Sequence, residues 1–144
     1  MRLRAFATAA AVAVSTLGFT GVTAPTASAA TTCSGYSDYY DGSFRHYYIS
    51  TTSNGSKNRN CVLSQGNQGT GVKWLQYTLN VCYDQGLAAD GIFGPATRTA
   101  VRNVQSYLKR TKNSAVVVDG VFGPQTSKHM SWGYYTDNGG WMHC

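Results

Sequence analysis

The sequence contains no glutamate: all six acidic residues are aspartates, at positions 38, 41, 84, 90, 119 and 137. A helix-loop-helix calcium site, whose loop ends on a bidentate Glu, finds little support here. A carboxylate pair for glycoside hydrolysis would have to be built from Asp alone. Histidine is scarce and scattered (His46, His129 and His143), with no H-x3-H spacing, and no C-x2-C occurs, so no zinc motif is present. The chain also lacks the G-x-x-x-x-G-K phosphate cradle and the G-x-S-x-G nucleophile turn. Beyond Ala30 no apolar run is long enough to cross a bilayer. The sequence therefore gives no reason to expect a metal, a cofactor or intrinsic enzymatic chemistry.

What is present begins with an export signal. Arg2 and Arg4 precede an Ala- and Val-rich apolar run from Ala5 to Phe19, and Ala27-Ser28-Ala29 offers an A-x-A cleavage site. This is the layout of a secretory leader over residues 1–30, and no membrane span is expected after its removal. Loss of the two arginines would lower the formal net charge from +6 to +4. The remaining cations are spread along the chain, and with export this makes nucleic acid an unsuitable partner. Four cysteines follow the leader, Cys33, Cys61, Cys82 and Cys144. An even number in an exported chain implies two disulfides, leaving no thiol free as a nucleophile. Three pairings are open. The favoured one joins Cys61 to Cys82, tying the segment before a helix to that helix's end, and Cys33 to Cys144, clipping the ends of the mature chain together.

Residues 31–60 are rich in tyrosine, at 36, 39, 40, 47 and 48. Asp41-Gly42 reads as a hairpin turn, "FRHYYIST" has strand propensity, and Ser53-Asn54-Gly55-Ser56 reads as a second turn or link. This extension has little core of its own and is expected to lie on the main domain. From Gly71 the pattern becomes helical: Val72, Leu75, Leu79 and Cys82 share one face, and Trp74, Tyr77 and Val81 form an adjoining stripe. Two apolar stripes predict cover on both sides. A second helix starts at Pro95 and carries Ala100, Val101, Val104 and Leu108 inward, with Lys109 and Arg110 near the negative end of its dipole. A third is predicted from Pro124 to Trp132, with Gly133 as its stop. Residues 134–144 read as an irregular tail. The fold class so read is mainly α: a small three-helix bundle over residues 61–133, preceded by an irregular or β-hairpin extension.

One phrase is written twice. "DGIFGPAT" begins at Asp90 and "DGVFGPQT" at Asp119, 29 residues later. In each copy the Asp carboxylate can fold onto nearby backbone N–H groups. Gly91 and Gly120 can supply positive φ, and Phe93 and Phe122 anchor in the core. Gly94 and Gly123 suit the N-cap, with Pro95 and Pro124 at the first helical position. The phrase is a turn that launches a helix, used twice, and the duty expected of these residues is structural.

In order, Leu63, Gly66, Gly69, Val72, Leu75-Gln76, Leu79, then Asp90-Gly91, Phe93-Gly94, Thr97, Ala100-Val101, Gln105, then Asp119-Gly120, Gly123 and Thr126 make a pattern. It resembles the three-helix type of peptidoglycan-binding domain over about Cys61 to Met130. The resemblance implies a secreted bacterial protein that binds cell-wall peptidoglycan without chemistry of its own. Such domains often stand beside a catalytic one, for which this chain has no length left. Aromatic faces stack on sugars and Arg pairs with carboxylates, so Trp74, Tyr77, Arg98 and Arg102 are the candidate ligand contacts. The tyrosine-rich segment is equally placed to roof Trp74 and Tyr77. Gln76 and Gln105 are expected to satisfy buried backbone groups. A second reading, from another class, is a secreted inhibitor or partner of an exported cell-wall hydrolase that reuses the same fold.

Overall fold

The computed structural model describes residues 30–40, 44–50, 58–136, 141, 142 and 144. The expected leader and the turns at Asp41-Gly42 and 53–56 lie outside the described residues. Two strands come first, β1 (Gly35–Tyr40) and β2 (Phe44–Ser50), followed by α1 (Thr70–Tyr83), α2 (Pro95–Thr111) and α3 (Pro124–His129). Two short strands follow, β3 (Tyr134–Thr136) and β4 (Trp141–Met142). The three helices and the N-terminal hairpin agree with the mainly α reading.

Local chemistry accounts for the helix limits. Pro95 and Pro124 hold the first helical position after extended glycine caps, where the missing N–H costs no bond. α1 stops at Asp84, which adopts left-handed angles (φ 52°), while its N–H and that of Gln85 bond to the carbonyls of Asn80 and Leu79. α3 is shorter than its sequence predicts and ends at His129, not at Trp132. Met130 turns extended, donates its N–H to Thr126 and buries its side chain, and the Trp132 indole then donates back to the Ser127 carbonyl at 3.2 Å.

The core lies where α1 meets α2. Val72, Leu75 and Leu79 of α1 pack with Ala100, Val101, Val104 and Leu108 of α2, joined by Leu63, Phe93, Val116 and Phe122, all 3% exposed or less. Burying each of the larger of these side chains stabilises the fold by about 1.5–3 kcal/mol.

The segment leading into α1 holds the two repeated turns at once. Leu63 exchanges two backbone hydrogen bonds of 2.8 Å with Phe122 of the second turn. A few residues later Gly66, Asn67 and Gly69 bond to Phe93 and Gly91 of the first, at 2.9–3.0 Å. One extended strap therefore runs across both copies.

The tail is not wholly irregular. β3 pairs antiparallel with β2, from Phe44 opposite Thr136 to His46 opposite Tyr134, and β4 pairs with β3. The result is a four-stranded sheet in the order β1-β2-β3-β4. Tyr and Thr favour strands, and Tyr134–Thr136 finds a partner in β2. β1 and β2 pack against α1, and the approach is close. A Cβ on Gly71 would stand 2.6 Å from the Cys33 carbonyl oxygen, so the first turn of α1 requires a residue without one.

The cysteines pair as Cys33–Cys61 and Cys82–Cys144, with Cα separations of 5.0 and 5.3 Å, and not as Cys61–Cys82 and Cys33–Cys144. The reason is backbone pairing that spacing alone does not reveal. Cys33 donates to the Val62 carbonyl and Val62 to that of Thr31, which lays the start of the extension beside the strap and brings Cys33 to Cys61. Cys82 closes the last turn of α1, where Cys144 arrives. Non-reducing peptide mapping should recover these two linked pairs. Replacing Cys33 and Cys61 together by Ser should cost about 2–4 kcal/mol in urea unfolding, by releasing the extension from the strap. A Cys61–Cys82 linked peptide would contradict this topology.

Candidate functional site

The two copies of the repeated turn are built around one buried amide each. Gln76 of α1 is 1% exposed. Its Oε1 accepts from the Gly91 N–H at 2.8 Å. Its Nε2 lies 2.9 Å from Asp90 Oδ1, 3.0 Å from the Ile92 carbonyl and 3.1 Å from Thr97 Oγ1. Gln105 of α2, also 1% exposed, repeats the set 29 positions on. Its Oε1 accepts from Asp119 and Gly120 at 3.1 and 2.9 Å, and its Nε2 meets Asp119 Oδ1, the Val121 carbonyl and Thr126 Oγ1 at 2.9, 2.8 and 3.1 Å. A primary amide offers both a carbonyl and two N–H groups. It can therefore satisfy a donor and several acceptors of a turn from one point.

Each turn is also closed from within. Asp90 Oδ1 accepts from the Ile92 N–H and Asp119 Oδ1 from that of Val121, both at 2.8 Å. Gly91 and Gly120 adopt φ of 77° and 78°, a conformation other residues hold only under strain. Phe93 and Phe122 are sealed in the core. The bonds from Ile92 and Gln76 hold the Asp90 carboxyl below its ordinary pKa. All the polar groups of the phrase that these bonds use are thus committed to the fold, which makes it the frame of a site.

Around this frame the sequence candidates separate. Trp74 is half-buried: its ring sits 4.4 Å from that of Tyr36 in β1 and meets Tyr77 edge-on at 5.7 Å. The extension therefore roofs the aromatic stripe of α1. Arg98 and Arg102 are exposed on α2. Their aliphatic stems lie over the second turn, since a Cβ on Gly120 would approach the Arg98 and Arg102 Cγ atoms to 2.7 and 3.0 Å. The matching position beside the first turn is lined by the Gly69 carbonyl and the Lys73 Cβ. The structure thus places the two arginines together over the second turn, while Trp74 meets Tyr36 and Tyr77.

A third feature was not singled out by the sequence. A cleft of about 510 Å³ opens between the end of α1, the outer side of α2 and the C-terminal residue, lined in part by Tyr83, Gln85, Asn103, Tyr107 and Ser131. The Tyr83 and Tyr107 rings meet edge-on at 6.0 Å. Tyr83 is held in place by the Ser131 N–H, which donates to its hydroxyl at 2.7 Å, and burial raises its pKa despite that bond. Asn103 Nδ2 donates to Gln85 Oε1 at 3.0 Å, and Tyr107 remains 44% exposed. The available signal was Tyr107 itself, an aromatic residue off the apolar face of α2 and one turn beyond Asn103.

Among the described residues, no group of three His, Cys, Asp or Glu side chains could hold a metal ion, and no helix is long and apolar enough to cross a membrane.

Removing a clamp should be costly. Gln76→Leu takes the partner from the Gly91 N–H and one of the donors from the Ile92 carbonyl, which keeps the Gly94 N–H, and should lower stability by about 1–3 kcal/mol, as should Gln105→Leu in the second turn. Urea unfolding measures both, and a loss below about 1 kcal/mol would mean that water serves the turn equally well. Acid gives a second test. Because the folded pKa of Asp90 is lowered, its contribution is fully present above the ordinary carboxylate pKa and is lost as pH falls through that value to the folded one. The acid limb of a stability–pH curve should therefore be shallower in Asp90→Asn than in the parent protein.

The family model described as "Putative peptidoglycan binding domain" matches residues 68–130. No curated protein and no solved structure matches the chain. The matched stretch runs from the end of the strap through α3 and contains both clamps and both turns. The match covers 63 of the 144 residues, and the extension and the tail lie outside it.

Proposed function

We propose that this protein is a secreted, non-catalytic binder of bacterial cell-wall peptidoglycan. The observation that carries the reading is the family match over residues 68–130, whose description names binding and no reaction. A location at the cell wall fits that partner. The leader pattern built on Arg2, Arg4 and Ala27-Ser28-Ala29 supports export, and the two disulfides suit an oxidising compartment.

Peptidoglycan presents neutral sugar rings and peptide carboxylates, and the surface of α2 suits both. Arg98 and Arg102, four residues apart on one exposed face, offer guanidinium groups to carboxylates of the stem peptide. Their stems rest on the second turn, which limits the entropy lost when the heads engage a ligand. Trp74 takes no part in this reading, since Tyr36 already covers it, and Tyr77 serves as its edge-on support.

The protein should co-sediment with purified insoluble peptidoglycan at low salt, releasing no soluble fragments and leaving the turbidity of the suspension unchanged. Arg98→Ala combined with Arg102→Ala should reduce the pelleted fraction several-fold, because two charge-assisted contacts are lost. Failure to pellet, together with a stable complex with an exported cell-wall hydrolase, would replace this reading with that of an inhibitor or partner. Release of fragments over time would make the protein an enzyme.

A further inference from the structure

We infer that the cleft between α1, α2 and the C-terminal residue is the subsite for the glycan strand, taking one or two N-acetylated sugar units. The inference rests on the peptidoglycan-binding reading and goes beyond it by assigning the sugar moiety to a place.

The lining selects the ligand. Among the described residues that form the cleft, Cys82, Tyr83, Gln85, Asn103, Val104, Tyr107, Ser131 and Cys144, no side chain is cationic. Among these described residues a peptide carboxylate would meet no counter-charge to offset its desolvation. A neutral acetamido sugar meets no such cost. Its ring carries an apolar face of C–H bonds, suited to an exposed aromatic ring, and its hydroxyl and acetamide groups both donate and accept hydrogen bonds. The cleft lining offers the same combination: the exposed Tyr107 ring and the exposed Asn103 amide, which is oriented by its bond to Gln85. Its volume, about 510 Å³, falls within the ordinary range of small-ligand clefts.

The site is preformed. Tyr83 is fixed by its bond from the Ser131 N–H and supports Tyr107 from the side. The Cys82–Cys144 disulfide fastens one wall to the last turn of α1. Asn103 and Tyr107 lie one helical turn apart on α2, so the aromatic contact and an amide contact come from a single rigid element. Arg98 and Arg102 belong to the same helix, nearer its N-terminus. A strand seated in the cleft can therefore direct its peptide branch toward the arginines, with charged and neutral parts of the ligand met by different stretches of α2.

The test uses the full mature chain and two probes, insoluble peptidoglycan and a soluble tetramer of N-acetylglucosamine. In 1H–15N spectra the tetramer should shift the amides of Gln85, Asn103 and Tyr107, with little effect around Arg98. Tyr107→Ala should weaken the tetramer about tenfold and lower wall pelleting, and Asn103→Ala should do so by a smaller factor. Both positions are exposed on a helix, and circular dichroism checks that the variants fold. If the parent protein pellets with walls while both variants pellet equally well and the tetramer shifts no cleft amide, the glycan assignment is overturned and wall binding stands. Tetramer binding in the cleft without wall pelleting would uphold the sugar subsite and remove the wall reading. If neither probe binds, both fall.

Discussion

The amides of Gln76 and Gln105 are shut away from water, and the backbone of each repeated turn finds its partners in them. The inward N–H groups of Gly91 and Gly120 bond to the Oε1 atoms of Gln76 and Gln105. Left unpaired beneath a helix, they would oppose the burial of Phe93 and Phe122 that the core requires. A single glutamine on the preceding helix meets an N–H and a C=O group at once, ties the Asp carboxylate from behind and reaches the Thr hydroxyl in the first turn of the next helix. The helix before the turn, the turn, and the helix after it are thereby held in one arrangement. The register of α1 against α2, and of α2 against α3, follows from these two points.

Much of this was legible. Repetition at 29 residues exposed the duplicated unit, and glycine, proline and aspartate at fixed offsets fixed the turn and the helix starts. The glutamine role could be anticipated because Gln76 and Gln105 bear the same offset to each other as the turns do. What remained hidden depends on contacts between segments distant in sequence. The disulfide pairing followed from the Cys33–Val62 backbone bond, which no local pattern encodes. The tail's place in the sheet depended on β2 having a free edge. The end of α3 was set by the Trp132 indole reaching back to Ser127, a tertiary contact that outweighs the helical spacing of the apolar residues.

The candidate surface was legible only in part, and for a related reason. Trp74 and Arg98 stand out by residue type, yet exposure decides which of them can meet a ligand. The extension covers α1 at Trp74 with the ring of Tyr36. The outer side of α2 is left uncovered, and its residues are charged, amide-bearing or aromatic according to their position along the helix. The more apolar helix is thus covered at Trp74, while the more polar one keeps Arg98, Arg102, Asn103 and Tyr107 exposed.

The strap gives the molecule an order of assembly. Leu63 and Phe122 are joined by two backbone bonds although nearly the whole helical region separates them in sequence. The first half, α1 with its turn, contains most of its own partners and can close early. The second half cannot complete its ladder until the strap, threaded before either helix, is still available when Phe122 arrives. The strap must therefore wait, its edge unpaired, until Phe122 reaches it. The Cys33–Cys61 bond lies beside that waiting edge, and its early formation would keep the strap extended until the far side of the domain reaches it.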